Sequence, residues 1–577
     1  MSWWYLAILV AANLSLFLPN ASVLRVVGVL LLIGFLPGLS WVGRWLPLSA
    51  PLLCWTVAAA LSYVFTSLTI LLLYYLPGPV QTWQLLVVLN LLAVLPLLSR
   101  RSVEKSDRQT GKSDAFKFRS FCPVALCLIL AVAIWLRSAN LEYSEFQGDE
   151  ALAMISTAEA LEGHQNALFL RSKGPGEILL PMALWRLTGT INEAVARLPF
   201  TIGSLFAIVT IYLLGEKVGG RRVSWLAAGF FAFNGFMVAF GRIVQYQALV
   251  VWMSGLAFLL TLYWRETGQL RYLTLAGLFL GTGLLAHYDA ILVLPAIGWL
   301  LIANQTADAR QPIAETGSKP AVSGWRSTVG GRIVALFKPF LLLSTALLLV
   351  ALPFYLPFIL DPQANRTGDY VGQRIGTELR NNLPDFLHFN IFYSSFYYTF
   401  LTGLLIVGLL GWIIWQANRK YRWVAVVVVA GVLAVSLRPD LLAVGSFDLS
   451  FLPFALLFLG AFLTFPTSQD QPEFRNYGQA LMVWLAVPFL GYNFIVALGL
   501  THIYTIVPAW SLLAALSWYF FFDSRREKVS GAEISLRCCA LPTWLSNGLL
   551  VGLLLLSTLF LWNAFIRHDV EYLQDYP

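Results

Sequence analysis

Residues 136–163 read LRSANLEYSEFQGDEALAMISTAEALEG, residues 171–189 read RSKGPGEILLPMALWRLTG, and residues 191–200 read INEAVARLPF. This long, mixed stretch lies between two apolar runs, near 121–136 and 196–215. After Asp149, the positions Ala151, Met154, Ile155, Ala158 and Leu161 recur at helical spacing, with Ser156, Thr157 and Glu159 on the other side. A second helix is expected from Glu177 to Leu187, behind the breaker Gly174-Pro175-Gly176. Amphipathic helices of this kind lie along a membrane surface with the apolar face down. Asp149 and Glu150 would then open an interfacial helix at the level of the lipid headgroups.

The rest of the chain supplies the membrane. Of 577 residues, 58% are apolar and 12% charged, against about 25% charged in an ordinary globular protein. Mean hydropathy is +0.72. That much apolar surface does not fit inside soluble cores, so a water-soluble multidomain enzyme, a disordered chain, a coiled coil and a disulfide scaffold are excluded. A spanning helix needs about 20 mostly apolar residues. On that rule seventeen spans are expected, near 3–19, 23–44, 51–76, 82–98, 121–136, 196–215, 223–240, 245–264, 271–287, 289–304, 336–360, 393–416, 421–437, 440–466, 477–500, 503–522 and 544–564. The first lacks a basic n-region and a small-residue cleavage site and reads as a retained helix.

Charge sets the orientation. With a cytoplasmic N-terminus, 26 of the 38 Lys and Arg fall on the inner side and 12 on the outer, with no conflict between clusters. The outer loops are then 138–195 and 361–392, and all five histidines lie outside. The inner segments 99–120, 305–335 and 523–543 read as basic or Gly/Ser/Thr-rich connectors, too short for a nucleotide-binding domain of about 100 residues. No Walker A stretch occurs, and Gly277, Gly281 and Gly283 lie within a span, where they read as small-residue packing. The net charge of +8 follows from topology; no basic stripe interleaved with aromatics points to nucleic acid. Cys54, Cys122 and Cys127 fall in apolar spans and Cys538 and Cys539 beside a basic loop, without metal or disulfide spacing.

Several outer residues carry two readings each. Asp149 and Glu150 suit a helix N-terminus, as cap and dipole partner. They equally suit a carboxylate base for an acceptor hydroxyl, which needs an ionised group within hydrogen-bond reach. His287, Tyr288 and Asp289 sit at a tight turn between two apolar runs, either solvated or lining a cavity. Arg242 could snorkel to lipid phosphate or pair with Asp149. Arg366, Arg374 and Arg380 lie in one outer loop, against the positive-inside trend. They touch anionic headgroups or stabilise a lipid-phosphate leaving group through the bidentate fork of Arg, with Arg374 the first choice. His502 and Tyr504 precede Pro508 at the start of a span, where an interfacial polar residue is the plainer reading. His164, His287, His388 and His502 could join Asp149 around a divalent metal, but no close His spacing supports it. No cofactor is otherwise called for.

The order of these features carries a family resemblance: a span ending in LR, then QGDEA, a helix, a Lys–Gly/Pro segment, a second helix, and ARLPF opening the next span. It resembles the first-loop signature of GT-C glycosyltransferases, particularly the protein O-mannosyltransferase and aminoarabinose-lipid A transferase relatives. The resemblance covers 121–304 well and 336–522 more loosely. It implies an all-α polytopic membrane protein, a GT-C-like bundle with interfacial helices in the first large extracytoplasmic loop. It also implies transfer of a sugar from a polyprenyl-phosphate donor to a hydroxyl acceptor on the extracytoplasmic face of the cell membrane, with inversion. The family's loop carboxylate matches Asp149, with Glu150 its neighbour. Lys173 matches the family's Lys-Pro-Pro site, although this chain reads Lys-Gly-Pro-Gly. GT-C relatives carry a polar or basic residue at the turn occupied by His287, Tyr288 and Asp289. His502 and Tyr504 resemble the family's late motif before a proline-bearing span. The expected organisation is a four-helix extension (1–98), a basic linker (99–120), a core with the catalytic loop (121–360), a second membrane half (361–522) and a terminal segment (523–577). The alternative is a transporter or flippase of a polar lipid or lipid-linked sugar, though the matching repeats common in transporters are not found. A non-catalytic assembly protein explains neither the loop nor its carboxylates.

Overall fold

The computed structural model describes residues 3–20, 22–46, 50–98, 124–146, 148–171, 173–303, 329–375, 381–444, 447–467, 473–497, 499–523 and 543–567. Cys122, Cys538, Cys539, Arg380, His568, the connector 99–120 and most of 305–335 and 523–543 lie outside them. The protein is an all-α membrane protein. Its helices run α1 (Trp3–Leu14), α2 (Val23–Gly34), α3 (Leu36–Trp45), α4 (Pro51–Tyr74), α5 (Thr82–Leu98), α6 (Val124–Ser138), α7 (Gly148–Glu162) and α8 (Gly176–Thr188). There follow α9 (Glu193–Ala232), α10 (Gly235–Ala239), α11 (Gln247–Thr267), α12 (Arg271–Ala286), α13 (Leu294–Ile302), α14 (Val329–Leu360), α15 (Gln363–Arg374) and α16 (Leu383–Ser394). The last are α17 (Phe396–Ala417), α18 (Arg422–Leu437), α19 (Phe451–Thr464), α20 (Phe474–Leu490), α21 (Val507–Trp518) and α22 (Thr543–Trp562). A two-stranded hairpin, β1 (Ala443–Val444) and β2 (Phe447–Asp448), precedes α19.

Every expected apolar segment carries a helix. Among the described residues, eight helices are long and apolar enough to cross a membrane, and eight shorter apolar helices of 10–17 residues occupy other expected segments. Two expectations change. Residues 440–444 and 447–450 do not belong to a span: Pro439 and Asp440 open a turn, Asp448 lies in the second short strand, and the helix begins only at Phe451. The expected spans 196–215 and 223–240 fall largely in α9, whose 40 residues would be about 60 Å long if straight, twice the hydrocarbon layer. Gly220 breaks it with φ +76°, a conformation glycine takes without penalty. A Cβ on Gly215 would stand 2.7 Å from Cα of Ser224, whereas nine residues along a straight helix are about 13 Å. The chain therefore doubles back there, and the two expected runs pack side by side.

Close helix approaches come from small residues. A Cβ on Gly277 would meet Leu343 O at 2.3 Å and one on Gly281 would meet Leu347 O at 2.7 Å, so this glycine face seats α12 on α14. Gly38 lies as tightly against Ala58 of α4, and its N–H donates to Ser62 Oγ at 2.8 Å. The outward faces of α1, α5, α14 and α22 expose large apolar side chains such as Trp3, Leu95, Leu349 and Leu555, as lipid-facing helices do.

The two loop helices differ from each other. α7 buries Ala153, Met154, Ser156, Thr157 and Ala160 and exposes Leu152 and Ile155, so Ser156 and Thr157 turn toward the protein and Ile155 turns away, against the expected faces. α8 was expected on the surface as well, but it is buried along almost its whole length. It packs against α2, α4, α5, α7, α9 and α12. Helices α2, α4 and α5 cover it; α4 also packs against α9, α12 and α14, and Tyr63 OH donates to Pro199 O at 2.8 Å.

Candidate active site

The site grows from the first turn of α7, entered through Gly148 at φ +54°. Successive residues in this turn point to opposite environments. The Glu150 side chain is buried and the Asp149 side chain is 52% exposed. Arg197, from the ARLPF motif on α9, grips Glu150 with both arms, Nε to Oε1 at 2.8 Å and Nη2 to Oε2 at 2.7 Å. The Val244 N–H adds a third bond to Oε1 at 2.8 Å. Glu150 thus ties α7 to α9 and to the 240–246 turn. Every feature of this setting is that of a rigid anchor, and the open carboxylate is its neighbour Asp149.

Asp149 meets a cation that sequence reasoning missed. Arg171 Nη2 lies 3.1 Å from Asp149 Oδ1 and 3.3 Å from Glu177 Oε2. Lys173 Nζ lies 3.0 Å from Glu177 Oε1 and 4.3 Å from the centre of the Tyr246 ring. Burial opposes charge on Asp149, but Lys173 and Arg171 outweigh it and hold the carboxyl below its ordinary range. The Lys-Gly-Pro-Gly wording of this segment has a steric reason. A Cβ on Gly174 would stand 2.2 Å from Leu285 O, and one on Gly176 would stand 2.6 Å from Cα of Ala286. Only glycines let the segment lie on the end of α12, directly before His287.

His287 stacks on Tyr246 at 4.0 Å between ring centres and 13° between planes, and Tyr288 closes its other side at 3.8 Å. The turn leads into Asp289, a buried carboxylate at the centre of contacts from far along the chain. Tyr492 OH donates to Oδ1 at 2.7 Å, Tyr504 OH donates to Oδ2 at 2.7 Å, and His502 Nδ1 stands 2.6 Å from Oδ2. His287 Nδ1 lies 3.2 Å from Oδ1 and accepts the Asp289 N–H, also at 3.2 Å. Tyr492 in turn stacks on His502 at 5.1 Å. Donor atoms of His287, Asp289 and His502 lie within 4.8 Å of one another, so these three buried residues could hold a metal ion.

The expected residues therefore divide. Lys173, Tyr288, His287, Asp289, His502 and Tyr504 form one connected group, reached from Asp149 through Arg171, Glu177 and Lys173. Arg242 does not join it. Buried to 2% exposure, it donates to Leu136 O at 2.7 Å, Ala139 O at 2.8 Å and Asn140 O at 3.2 Å. It neither snorkels nor pairs with Asp149, because its guanidinium satisfies one carbonyl in the last turn of α6 and two in the turn that follows it. Arg137 plays a similar part nearby, donating to Ser204 Oγ and Ala232 O. Arg374 approaches through its backbone: its carbonyl accepts the Ala497 N–H at 2.7 Å, and Ile375 pairs with Val496. That pins α15 beside the loop joining Tyr492 to His502. Of the proposed metal histidines, His164 is exposed beside Glu162 and His388 lies among Phe389 and Phe392. The two that converge do so on Asp289, not on Asp149. Tyr492 and Arg171 gave no sequence signal: one sits in an apolar span end, the other in a short basic segment.

Residues 173–318 match the family model of dolichyl-phosphate-mannose-protein mannosyltransferase. The chain resembles a GT-C membrane glycosyltransferase. The matched segment begins at Lys173 and contains Glu177, Arg242, His287 and Asp289. Among solved structures, the archaeal oligosaccharyltransferase AglB from Archaeoglobus fulgidus, in complex with an inhibitory peptide and a dolichol-phosphate, is similar at 12% identity and TM-score 0.37, over 76% of this chain and 55% of that one. The same organism's oligosaccharyltransferase tethered to an acceptor peptide with the NVT sequon gives 14% identity and TM-score 0.39, over 77% and 55%. Its apo form gives 12% and 0.40 over the same shares. The chain thus spans little more than half the length of these GT-C proteins. Comparison with the curated proteins gave no match.

Proposed function

We propose that this protein is a polyprenyl-phosphate-dependent glycosyltransferase of GT-C type, acting on the extracytoplasmic face of the cell membrane with Asp149 as base. The observation that carries the reading is an open carboxylate, kept ionised by Arg171 and Lys173, at the edge of a buried His–Asp–Tyr group. In the reaction, Asp149 accepts the proton of the acceptor hydroxyl. The freed oxygen lone pair attacks the anomeric carbon from the face opposite the phosphate, and the bond from that carbon to the phosphate oxygen breaks, so configuration inverts. The leaving polyprenyl phosphate takes up negative charge, which Lys173 and Arg171 are suited to meet. Glu150 acts through Arg197 and Val244 to hold Asp149 in place. The sidedness rests on the distribution of basic residues between the loops.

A divalent metal is compatible with this reading and not required by it. Two imidazoles and one carboxylate suit Zn²⁺ or a similar ion with an open position, and His287, Asp289 and His502 would be its ligands. When bound, such an ion would add charge stabilisation at a phosphate oxygen.

The test uses purified protein in vesicles supplied with a labelled polyprenyl-phosphate sugar. Release of free polyprenyl phosphate supports the enzyme. Movement of intact donor across the bilayer without bond cleavage would establish the transporter instead.

A further inference from the structure

The stretch from Gly163 through α8 to its cap Gly189 is held at both ends by the N-terminal helices. At its start, Gly163 takes φ +90° against the backbone of Gly78 and Pro79, where an added Cβ would already stand 3.3 Å from Pro79 N. Tyr74 OH, at the end of α4, donates to His164 O. At its finish, Arg25 on α2 donates Nε and Nη2 to Leu187 O, at 3.2 and 3.0 Å. The third arm of Arg25 donates to Leu18 O at 3.0 Å and to Asn20 Oδ1. Asn20 lies against Gly189, the left-handed cap of α8 at φ +78°, where a Cβ would meet it at 2.9 Å. Thr82 Oγ1 donates to Arg186 O and Arg186 Nη2 donates to Gln81 Oε1, both at 3.3 Å. Between these two grips lie Arg171, Lys173 and Glu177.

We infer that the N-terminal helices α1–α5 form a clamp that fixes residues 163–189 and so sets the position of Lys173 and Arg171 at the site, with Arg25 as its principal positioning residue. The physical basis is twofold. The last carbonyls of a helix have no partner within the helix, and Arg25 supplies a charge-assisted pair of donors to one of them. A loop of this length is otherwise free to fray, since loops with few buried contacts open at small cost. α2, α4 and α5 remove that freedom by burying α8. Arg25 itself reaches the core at Leu187 O, within this stretch, so its influence on the reaction is expected in donor binding rather than in the chemical step. The assignment of that effect to the donor rests on the proposed role of Lys173; the clamp itself does not.

The experiment compares wild type with Arg25→Ala, Arg25→Lys and Tyr74→Phe, each as full-length protein in nanodiscs. Amide hydrogen exchange is followed across the chain, and KM and kcat are read with a labelled polyprenyl-phosphate sugar. Arg25→Ala is expected to speed exchange within 163–189, with α11 and α12 unchanged. It should also raise KM roughly tenfold while kcat moves little, in line with the loss of hydrogen bonds from a charged donor. Arg25→Lys keeps one donor and should recover part of both effects, and Tyr74→Phe should loosen only the 163–170 end. Unchanged exchange in 163–189, or faster exchange everywhere at once, would overturn the clamp. If wild type releases no polyprenyl phosphate, the exchange result still decides the clamp, and the failure belongs to the proposed chemistry alone.

Discussion

At the residue scale, two adjacent carboxylates have been given different work by their surroundings. Glu150 is enclosed by three donors, two from the buried Arg197 guanidinium and one from the Val244 N–H, whereas Asp149 is open on one side and held ionised on the other. Replacing Glu150 with Ala strands Arg197 in a buried site without its partner. Loss of one member of such a pair costs about 3–5 kcal/mol, so thermal unfolding in detergent should fall sharply for Glu150→Ala and much less for Asp149→Asn. The pH dependence follows from sign. Asp149 ionises below the ordinary carboxylate range, because its cations Lys173 and Arg171 outweigh burial. Donor turnover should therefore be level through neutral pH and fall only once acid protonates the carboxylate. Arg171→Gln removes one of those cations, so its acid limb should move to higher pH, which a pH–rate profile reads directly. The base and its neighbour were both visible in QGDEA, but which of them was free was not. That depended on Arg197 and Val244, 47 and 94 residues away.

At the element scale, backbone approach sets the geometry. Gly174 and Gly176 let the Lys173 segment touch the end of α12. Gly174→Val should push the segment away and raise donor KM, while leaving exchange in α12 near wild type; an unaltered KM would show that the close approach is idle. The apolar periods made each helix legible, and the Gly277–Gly281 face was readable as packing. What periodicity did not reveal was what covered each face. α8 has the pattern of an interfacial helix, yet lies inside the protein because α2, α4 and α5 lie over it. Arg242 reads equally as a residue for lipid phosphate or a partner of Asp149, yet its donors face carbonyls at the end of α6 and in the turn after it. A one-dimensional pattern records where a side chain is polar, not which unpaired backbone group waits for it.

At the scale of the whole molecule, the site is assembled from the first loop, the turn after α12, and the loop before α21. Asp289 meets Tyr492, His502 and Tyr504 across 203, 213 and 215 residues. Spacing rules for metal or catalytic residues operate over a few positions, so His287 and His502 were each legible as polar residues at span ends while their convergence was not. That convergence makes a measurable claim. Protein equilibrated with Zn²⁺ should take up one ion per chain, and His287→Ala and His502→Ala should take up none. Equal uptake by all three would move any ion elsewhere.

The most direct test of Asp149 as base is a single-turnover assay with excess protein over labelled polyprenyl-phosphate sugar and a hydroxyl acceptor, comparing wild type with Asp149→Asn. Donor binding should be retained in the variant, while release of polyprenyl phosphate slows about 10²- to 10⁴-fold, the usual contribution of a positioned base. Equal release rates in the two proteins, with donor bound equally, would contradict the assignment.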